Sequence, residues 1–166
     1  MNDVFDKRPR QPRKSKLTTL SEAVNVIKNG DVLMLGAFID TRRPMAAAYE
    51  IVRQQKRGLI LLAQCSLAED ILVGAGCAVA WRGCYTGMAS FGLSPATLRK
   101  TETGDFFPDE IGHLDIIYGA MAAMLGSPFV ATRATLGSDV LNEQMDRNRV
   151  LLEKAGNRQM IPRKKF

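Results

Sequence analysis

The chain alternates between short apolar runs and segments in which apolar residues recur at helical spacing. Continuous apolar runs of strand length occupy residues 32–35 and 59–63, as expected for parallel strands buried on both faces, and residues 77–82 and 129–132 are further strand candidates. Helical spacing predicts helices that begin near Thr19, Pro44, Ser66, Ala96 and Ile111, and a further polar helix after Leu141. This alternation predicts an α/β fold with a mostly parallel open sheet and helices on both faces.

Local signals place the ends of several elements. Thr19 and Glu22 have the spacing of a capping box at the start of the first helix. Pro44 suits the first turn of the second helix. The long apolar helix ends at Gly126, and the segment from Gly104 to Pro108 is predicted to be a turn.

The segment 29–44 is the first candidate for a binding site. A buried strand leads into the small-residue loop Gly36-Ala37-Phe38, followed by Thr41, Arg42 and Arg43 and then by a helix start. α/β proteins form anion and cofactor pockets at such strand ends, and an arginine there can bind a carboxylate or phosphate with two hydrogen bonds. The alternative is an ordinary strand-to-helix turn with solvated arginines. The glycine spacing matches neither a P-loop nor a dinucleotide fingerprint.

A second candidate loop, Cys84-Tyr85-Thr86-Gly87, follows the third predicted strand and belongs to the same edge of the sheet. Cys84 is either a reactive thiol or an inert buried one. The single histidine, His113, is either a general base or an ordinary helix residue. The three cysteines are too widely spaced for a zinc knuckle, so no metal site is expected, and their odd number fits reduced thiols in the cytoplasm.

No carboxylate has the setting of an activated nucleophile. The candidates are Glu50, Glu69, Asp70, Asp109 and Glu110. Glu50 falls within a helix next to its apolar stripe, which indicates a structural role, and Glu69 and Asp70 suit the opening of a helix. None follows a strand in a glycine-rich loop. The sequence therefore predicts a pocket without an obvious catalytic residue.

Charge is concentrated at the two ends of the chain. The 166 residues carry a formal net charge of +6, but residues 1–16 and 151–166 each have a net charge of +4, which leaves −2 between them. We divide the chain into a basic flexible tail (1–16), an α/β domain (17–142) and a polar, basic segment (143–166). Such tails are usually solvated, so no nucleic-acid partner is expected, although a polyanion-binding arm is the alternative. No apolar run is long enough for a membrane helix.

The segment 29–44 resembles the signature of the A (alpha) subunit of family I coenzyme A transferases. The arginine at Arg42, where the commoner form has glycine, is similar to the glutaconate CoA-transferase branch, and the residues that match this branch are Thr41, Arg42, Pro44, Ala46, Ala47, Tyr49, Glu50 and Ile51. The Cys84-Tyr85-Thr86 and Gly126-x-Pro128-Phe129 runs also resemble that branch. The similarity extends over residues 17–141.

This resemblance implies a subunit that pairs with a B-type subunit in a hetero-oligomer. Such enzymes move CoA between small carboxylic acids through a glutamyl-CoA thioester, and in this branch the partner carries the glutamate. Acyl-CoA is then a substrate, and no permanently bound cofactor is expected. The expected substrate- and CoA-binding residues are Gly36, Ala37, Phe38, Thr41, Arg42, Cys84, Tyr85 and Thr86, with no catalytic residue in this chain.

Two departures from the family pattern leave alternatives open. Ala37 replaces a glycine, which narrows the approach of a ligand to the backbone. Family A subunits are about twice as long, so the chain corresponds to the N-terminal part of the usual subunit. The alternatives are a CoA-ester hydrolase or ring-opening enzyme on the same scaffold, a non-catalytic assembly subunit, and a nucleic-acid-associated protein with basic tails.

Overall fold

A computed structural model describes residues 15–62, 64 and 66–141, which form a four-stranded parallel sheet with helices between the strands. The strands are β1 (Val32–Leu33), β2 (Leu59–Leu62), β3 (Ala78–Gly83) and β4 (Phe107–Glu110), in the spatial order β1-β2-β3-β4. The helices are α1 (Leu20–Asn25), α2 (Met45–Arg53), α3 (Leu67–Gly74), α4 (Pro95–Glu102) and α5 (His113–Met124). The predicted α/β class and parallel sheet are confirmed.

Two predictions about individual elements are wrong. The segment predicted as a turn up to Pro108 instead leads into β4 from Phe107, and residues 129–132, predicted as a strand, are irregular. Pro108 is typical of a turn, but β4 lies at the edge of the described sheet, where a residue without an N–H is tolerated. The predicted helix after Leu141 lies outside the described residues.

Helices α1 to α4 form one layer, in which each helix packs against the next. The strand order explains this arrangement, because successive right-handed crossovers in one direction place their helices on the same face of a parallel sheet. The core beneath the layer contains Ile51, Leu59, Leu61, Leu72 and Trp81. On the opposite face Ile60 and Ala80 are also buried, so both faces of the central strands are covered.

Polar side chains stabilise the helix starts in this layer. The capping box predicted for α1 is present, since Thr19 Oγ1 accepts a hydrogen bond from Glu22 N–H and Glu22 Oε2 accepts one from Thr19 N–H. Asp70, on α3, accepts hydrogen bonds from Thr97 N–H at 2.7 Å and from Thr97 Oγ1 at 2.9 Å, and so fixes the first turn of α4. This buried carboxylate locks α4 onto α3.

The segment after β4 is more open than the four-helix layer. Within α5, Ile116 and Ala122 are buried, but Leu114, Ile117, Met121 and Met124 are exposed. At 12 residues α5 is too short to span a bilayer, and among residues 15–141 there is no helix long and apolar enough to do so. The part of α5 that matters for the site is its first turn, which reaches the carboxyl ends of the strands.

Candidate functional site

A cavity of about 180 Å³ lies beyond the carboxyl end of β1, where the sequence predicted a pocket. Its walls come from the loop that follows β1 and from the first turn of α5. The residues that line it are Met34, Leu35, Gly36, Ala37, Phe38, Arg43, Gln64, His113, Ile116 and Ile117. A Cβ atom added at Gly36 would meet no atom within 4 Å. The space in front of the Gly36 backbone is therefore open to a ligand.

The loop after β1, residues 34–44, is held in an unusual conformation, and we call it the β1 loop. Ile39 has a φ of 45° and Arg42 a φ of 57°, although neither is glycine. A positive φ is rare for a β-branched residue such as Ile39, and such strain costs about 1–3 kcal/mol. Phe38 and Thr41 close the turn with hydrogen bonds between their backbones. Surrounding contacts must hold this loop in place.

Those contacts come from buried and half-buried polar groups that we call the support network: Asp40, Arg43, Gln64, Ser66 and Glu69. Arg43 Nη1 donates to Glu69 Oε1 at 2.6 Å, Arg43 Nη2 donates to the Gln64 carbonyl at 3.1 Å, and Arg43 Nε donates to the Ile39 carbonyl. Ser66 N–H donates to Glu69 Oε2 at 3.1 Å, and Ser66 Oγ donates to Asp40 Oδ1. The network ties the β1 loop to the start of α3.

The two charged side chains at the centre of this network, Arg43 and Glu69, are buried. The Arg43 and Glu69 side chains are only 3% and 1% exposed. Burial raises the pKa of Glu69 above its ordinary value, and the charge of Arg43 opposes that rise. Removing either partner would leave a charge buried without compensation, which is strongly unfavourable. The Arg43–Glu69 pair is therefore part of the structure rather than a group free to bind substrate.

The two neighbouring arginines consequently differ in what they can do. The sequence allows either Arg42 or Arg43 to bind an anion. Arg43 uses its guanidinium within the support network, whereas Arg42 is exposed and makes no side-chain hydrogen bond or ion pair with any described residue. Thr41 is also exposed, and its Oγ1 donates to the Phe38 carbonyl at 2.8 Å. Of the two arginines, Arg42 is the one available to a ligand.

Cys84 lies next to His113, a pairing that the sequence does not predict. The distance from Cys84 Sγ to His113 Nδ1 is 3.1 Å, and Gln64 Nε2 lies 3.1 Å from the same ring nitrogen. Gln64 Oε1 in turn accepts a hydrogen bond from Ile39 N–H at 3.3 Å. This chain of contacts joins the ends of β1, β2 and β3 to the start of α5.

The remaining residues of the predicted second loop lie at the same edge, outside this cavity. Tyr85 is 39% exposed, and its hydroxyl would lie 2.5 Å from a Cβ atom at Gly87, so its ring covers that glycine. Thr86 Oγ1 is buried and has no hydrogen-bond partner among the described residues. Neither Tyr85 nor Thr86 is among the residues that line the cavity.

Three carboxylates that the sequence offers as candidates are bound to other protein groups. Glu69 is fully buried in its pair with Arg43. Glu50 binds Arg53 and Gln54, in agreement with its predicted structural role. Asp109 is buried and pairs with Arg82 across β3 and β4. Among the described residues that line the cavity there is no carboxylate, and no cluster of three His, Cys, Asp or Glu side chains within the described ranges could hold a metal ion.

The family model for coenzyme A transferases matches residues 17–161 of this chain. The chain belongs to the coenzyme A transferase family. The match confirms the family to which the segment 29–44 pointed. It also continues beyond residue 141, the last one that the structure describes.

Two curated relatives carry names from this family. The chain is 35% identical over 132 residues to the A-type subunit of 3-oxoadipate CoA-transferase from Pseudomonas knackmussii, an alignment that covers 76% of this chain and 46% of the relative. It is 33% identical over 133 residues to the A-type subunit of glutaconate CoA-transferase from Acidaminococcus fermentans, covering 78% of this chain and 41% of the relative. The chain thus spans less than half the length of these relatives.

Solved structures agree with the fold. Glutaconate coenzyme A-transferase from Acidaminococcus fermentans superposes with a TM-score of 0.72 at 30% identity, over 82% of this chain and 45% of that one. A variant of the decarboxylase AibA/AibB superposes with a TM-score of 0.64 at 30% identity, over 76% and 50% of the two chains. The family fold therefore accompanies more than one named activity.

Proposed function

We propose that this chain acts as the A-type subunit of a heteromeric CoA-transferase, which moves CoA between carboxylic acids, dicarboxylic acids among them. In this proposal the β1 loop and the Cys84–Thr86 loop form one wall of the cleft that holds the acyl group and CoA. A partner B-type subunit supplies the glutamate nucleophile. The observation that carries the proposal is the open cavity in front of Gly36, in a chain that belongs to the coenzyme A transferase family.

The geometry supports separate roles for the residues of this wall. Gly36, Ala37 and Phe38 line the cavity, and a ligand can approach the backbone closely at Gly36 because glycine lacks a Cβ atom. Thr41 and Arg42 project from the exposed turn of the β1 loop, and Arg42 orients a substrate carboxylate or a CoA phosphate. The support network keeps this turn in its strained conformation.

The state of the carboxylates supports the assignment of the nucleophile to a partner. A glutamate that forms a thioester must reach the acyl group, and Glu69, the glutamate of the support network, is 0% exposed and bound to Arg43. The other described glutamates do not line the cavity. This arrangement favours a nucleophile outside the described part of the chain.

The proposal is tested by reconstituting the chain with a candidate B-type subunit encoded beside it. The mixture is assayed for CoA transfer from glutaconyl-CoA to acetate, and a thioester intermediate is trapped with borohydride and located by mass spectrometry. Transfer that requires both chains, with the trapped glutamate on the partner, supports the proposal. A stable complex with neither transfer nor a trapped thioester would overturn it.

The alternative on the same scaffold is a subunit that acts on a CoA ester by another reaction, such as hydrolysis or ring opening. The observation that favours it is the structural similarity to the decarboxylase AibA/AibB. The same reconstituted mixture distinguishes the two, because a hydrolase releases free CoA without an acceptor acid, whereas a transferase needs the acceptor. A complex inactive in both assays would instead indicate an assembly subunit.

A further inference from the structure

The contacts around His113 fix the state of its ring. The amide of Gln64 is oriented by Ile39 N–H, which donates to Gln64 Oε1 at 3.3 Å. The other end of that amide, Nε2, can only donate, and it faces His113 Nδ1 at 3.1 Å. In the neutral imidazole that carries its proton on Nε2, Nδ1 is the acceptor, and its single lone pair serves one donor at a time.

An acceptor nitrogen beside a thiol is the geometry of a base beside its nucleophile. Cys84 Sγ lies 3.1 Å from the same Nδ1, within reach of the lone pair that Gln64 Nε2 also faces, so the thiol can pass its proton to this nitrogen when the amide releases it. Burial raises the pKa of the Cys84 thiol, so it is protonated at neutral pH and needs a base to become nucleophilic. His113 and Gln64 line the cavity, and Cys84 lies against His113.

We propose that Cys84 and His113 form a nucleophile–base pair in which Cys84 Sγ accepts an acyl group from a thioester. The inference rests on the proposed function only in taking acyl-CoA as the class of thioester that reaches this cavity. Gln64 is a positioning residue, because it holds the imidazole with Nδ1 toward the thiol. This role is separate from that of the glutamate proposed for the partner.

The step balances as a thioester exchange. The Gln64 amide first turns away from the lone pair of His113 Nδ1, which then takes the proton from Cys84 Sγ as the sulfur attacks the carbonyl carbon of the acyl-CoA. The bond from that carbon to the sulfur of CoA then breaks, and the departing thiolate takes the proton back from Nδ1. One thioester is replaced by another, so no oxidant or reductant is required, and the products are acyl-Cys84 and free CoA.

The chain contains its own control for thiol reactivity. Cys77 is fully buried and accepts a contact from Arg57 Nη1 at 3.4 Å, and it precedes β3 at the opposite end of that strand from Cys84. Cleavage after Arg82 and Arg99 gives a peptide of residues 83–99 in which Cys84 is the single cysteine. Acylation of Cys84 can therefore be measured separately from that of the other two thiols.

The experiment treats the full chain with acetyl-CoA and, separately, with the acetyl thioester of N-acetylcysteamine, and follows acetylation of the 83–99 peptide. The expected result is acetylation of Cys84, absent in Cys84→Ser and slowed at least about tenfold in His113→Gln, as loss of a general base predicts. Acetylation by the small thioester but not by acetyl-CoA would support the pair while counting against the proposed CoA function.

Iodoacetamide gives a measurement that needs no acyl group. Alkylation of Cys84 is expected to outpace that of Cys77 in the native protein and to slow in His113→Gln, with circular dichroism showing that the variant stays folded. No acetylation of Cys84 by either thioester, or rates unchanged in folded His113→Gln, would overturn the proposal. His113 is exposed on the first turn of α5, so this substitution leaves the core intact.

Discussion

The support network lies beside the open edge of the cavity, by which we mean Gly36 and the exposed Arg42. The two regions use similar side chains for opposite purposes. Arg43 is 3% exposed and fully engaged with protein acceptors, whereas its neighbour Arg42 is exposed. The backbone between Phe38 and Arg43 turns sharply enough to send consecutive arginines into the interior and into solvent. Buried charge here fixes a loop, and exposed charge remains free for ligands.

The largest effect that this comparison predicts is on stability. Arg43→Ala leaves the Glu69 carboxylate buried without its partner, and we expect it to lower the free energy of unfolding by about 3–5 kcal/mol. Arg42→Ala removes the same charge one residue away and is expected to change stability by no more than about 0.5 kcal/mol. Urea denaturation of both variants measures the difference. Equal losses would show that burial does not separate the two arginines.

The loss of stability in Arg43→Ala is also expected to depend on pH. Burial already raises the pKa of Glu69 above its ordinary 4.5, and removing Arg43 removes the largest influence that lowers it. The folded variant then binds a proton more tightly than the unfolded chain, so its stability rises as pH falls through the raised pKa toward 4.5. The stability deficit relative to the unmodified chain should therefore shrink as the pH falls from neutral toward 4.5.

Urea midpoints of the two proteins across that range measure this effect. The double substitution Arg43→Ala with Glu69→Gln is the control, because it has no buried carboxylate at this position to titrate, and its deficit should not shrink as the pH falls. A deficit in Arg43→Ala that likewise fails to shrink would mean that Glu69 is not the titrating group.

On the exposed side, the comparison predicts an effect on binding without one on stability. If Arg42 pairs with a substrate anion, Arg42→Ala loses a charged hydrogen bond worth about 1.5–3 kcal/mol, which corresponds to a KM at least about tenfold higher for the anionic substrate. Steady-state kinetics of the reconstituted transferase measure it. Arg99→Ala, which removes an exposed arginine on α4, is the matched control and should leave KM unchanged.

The elements with clear periodicity or capping signals could be predicted from the sequence, and those that depend on sheet position could not. Thr19 and Glu22 predict the start of α1 because a capping box is an interaction between residues close in the sequence. β4 is not predicted because Phe107-Pro108 is typical of a turn. A proline is tolerated in β4 because the strand lies at the edge of the sheet, and that position depends on the tertiary structure. Residues 129–132 are apolar enough for a strand, but no described strand pairs with them.

The candidate site likewise has one part that the sequence predicts and one part that it does not. The β1 loop is predictable because a strand, small residues and a helix start are adjacent in the sequence, and the cavity does lie there. The contact between Cys84 and His113 joins residues 29 positions apart, and it depends on β3 and β4 lying side by side. No local sequence pattern predicts this contact. The one available signal is that a cysteine follows one strand and the chain's single histidine follows the next, so both lie at the same edge of the sheet.

The smallest structural change with an informative outcome is Gly36→Ala. A Cβ atom at Gly36 meets nothing within 4 Å, and Gly36 does not have a positive φ, so stability should stay within about 0.5 kcal/mol of the unmodified chain. The new methyl group nevertheless projects into the space that the proposal assigns to a ligand, and it should weaken substrate binding by a few-fold.

Gly119→Ala is the matched control for that substitution. Gly119 lies in α5 and also has no atom within 4 Å of an added Cβ, but it is not among the residues that line the cavity. We expect it to leave kinetics unchanged and to stabilise the helix by about 0.5–1 kcal/mol. If both alanines leave KM and kcat unchanged, no ligand approaches the Gly36 backbone, and the open edge differs from the support network only in its exposure.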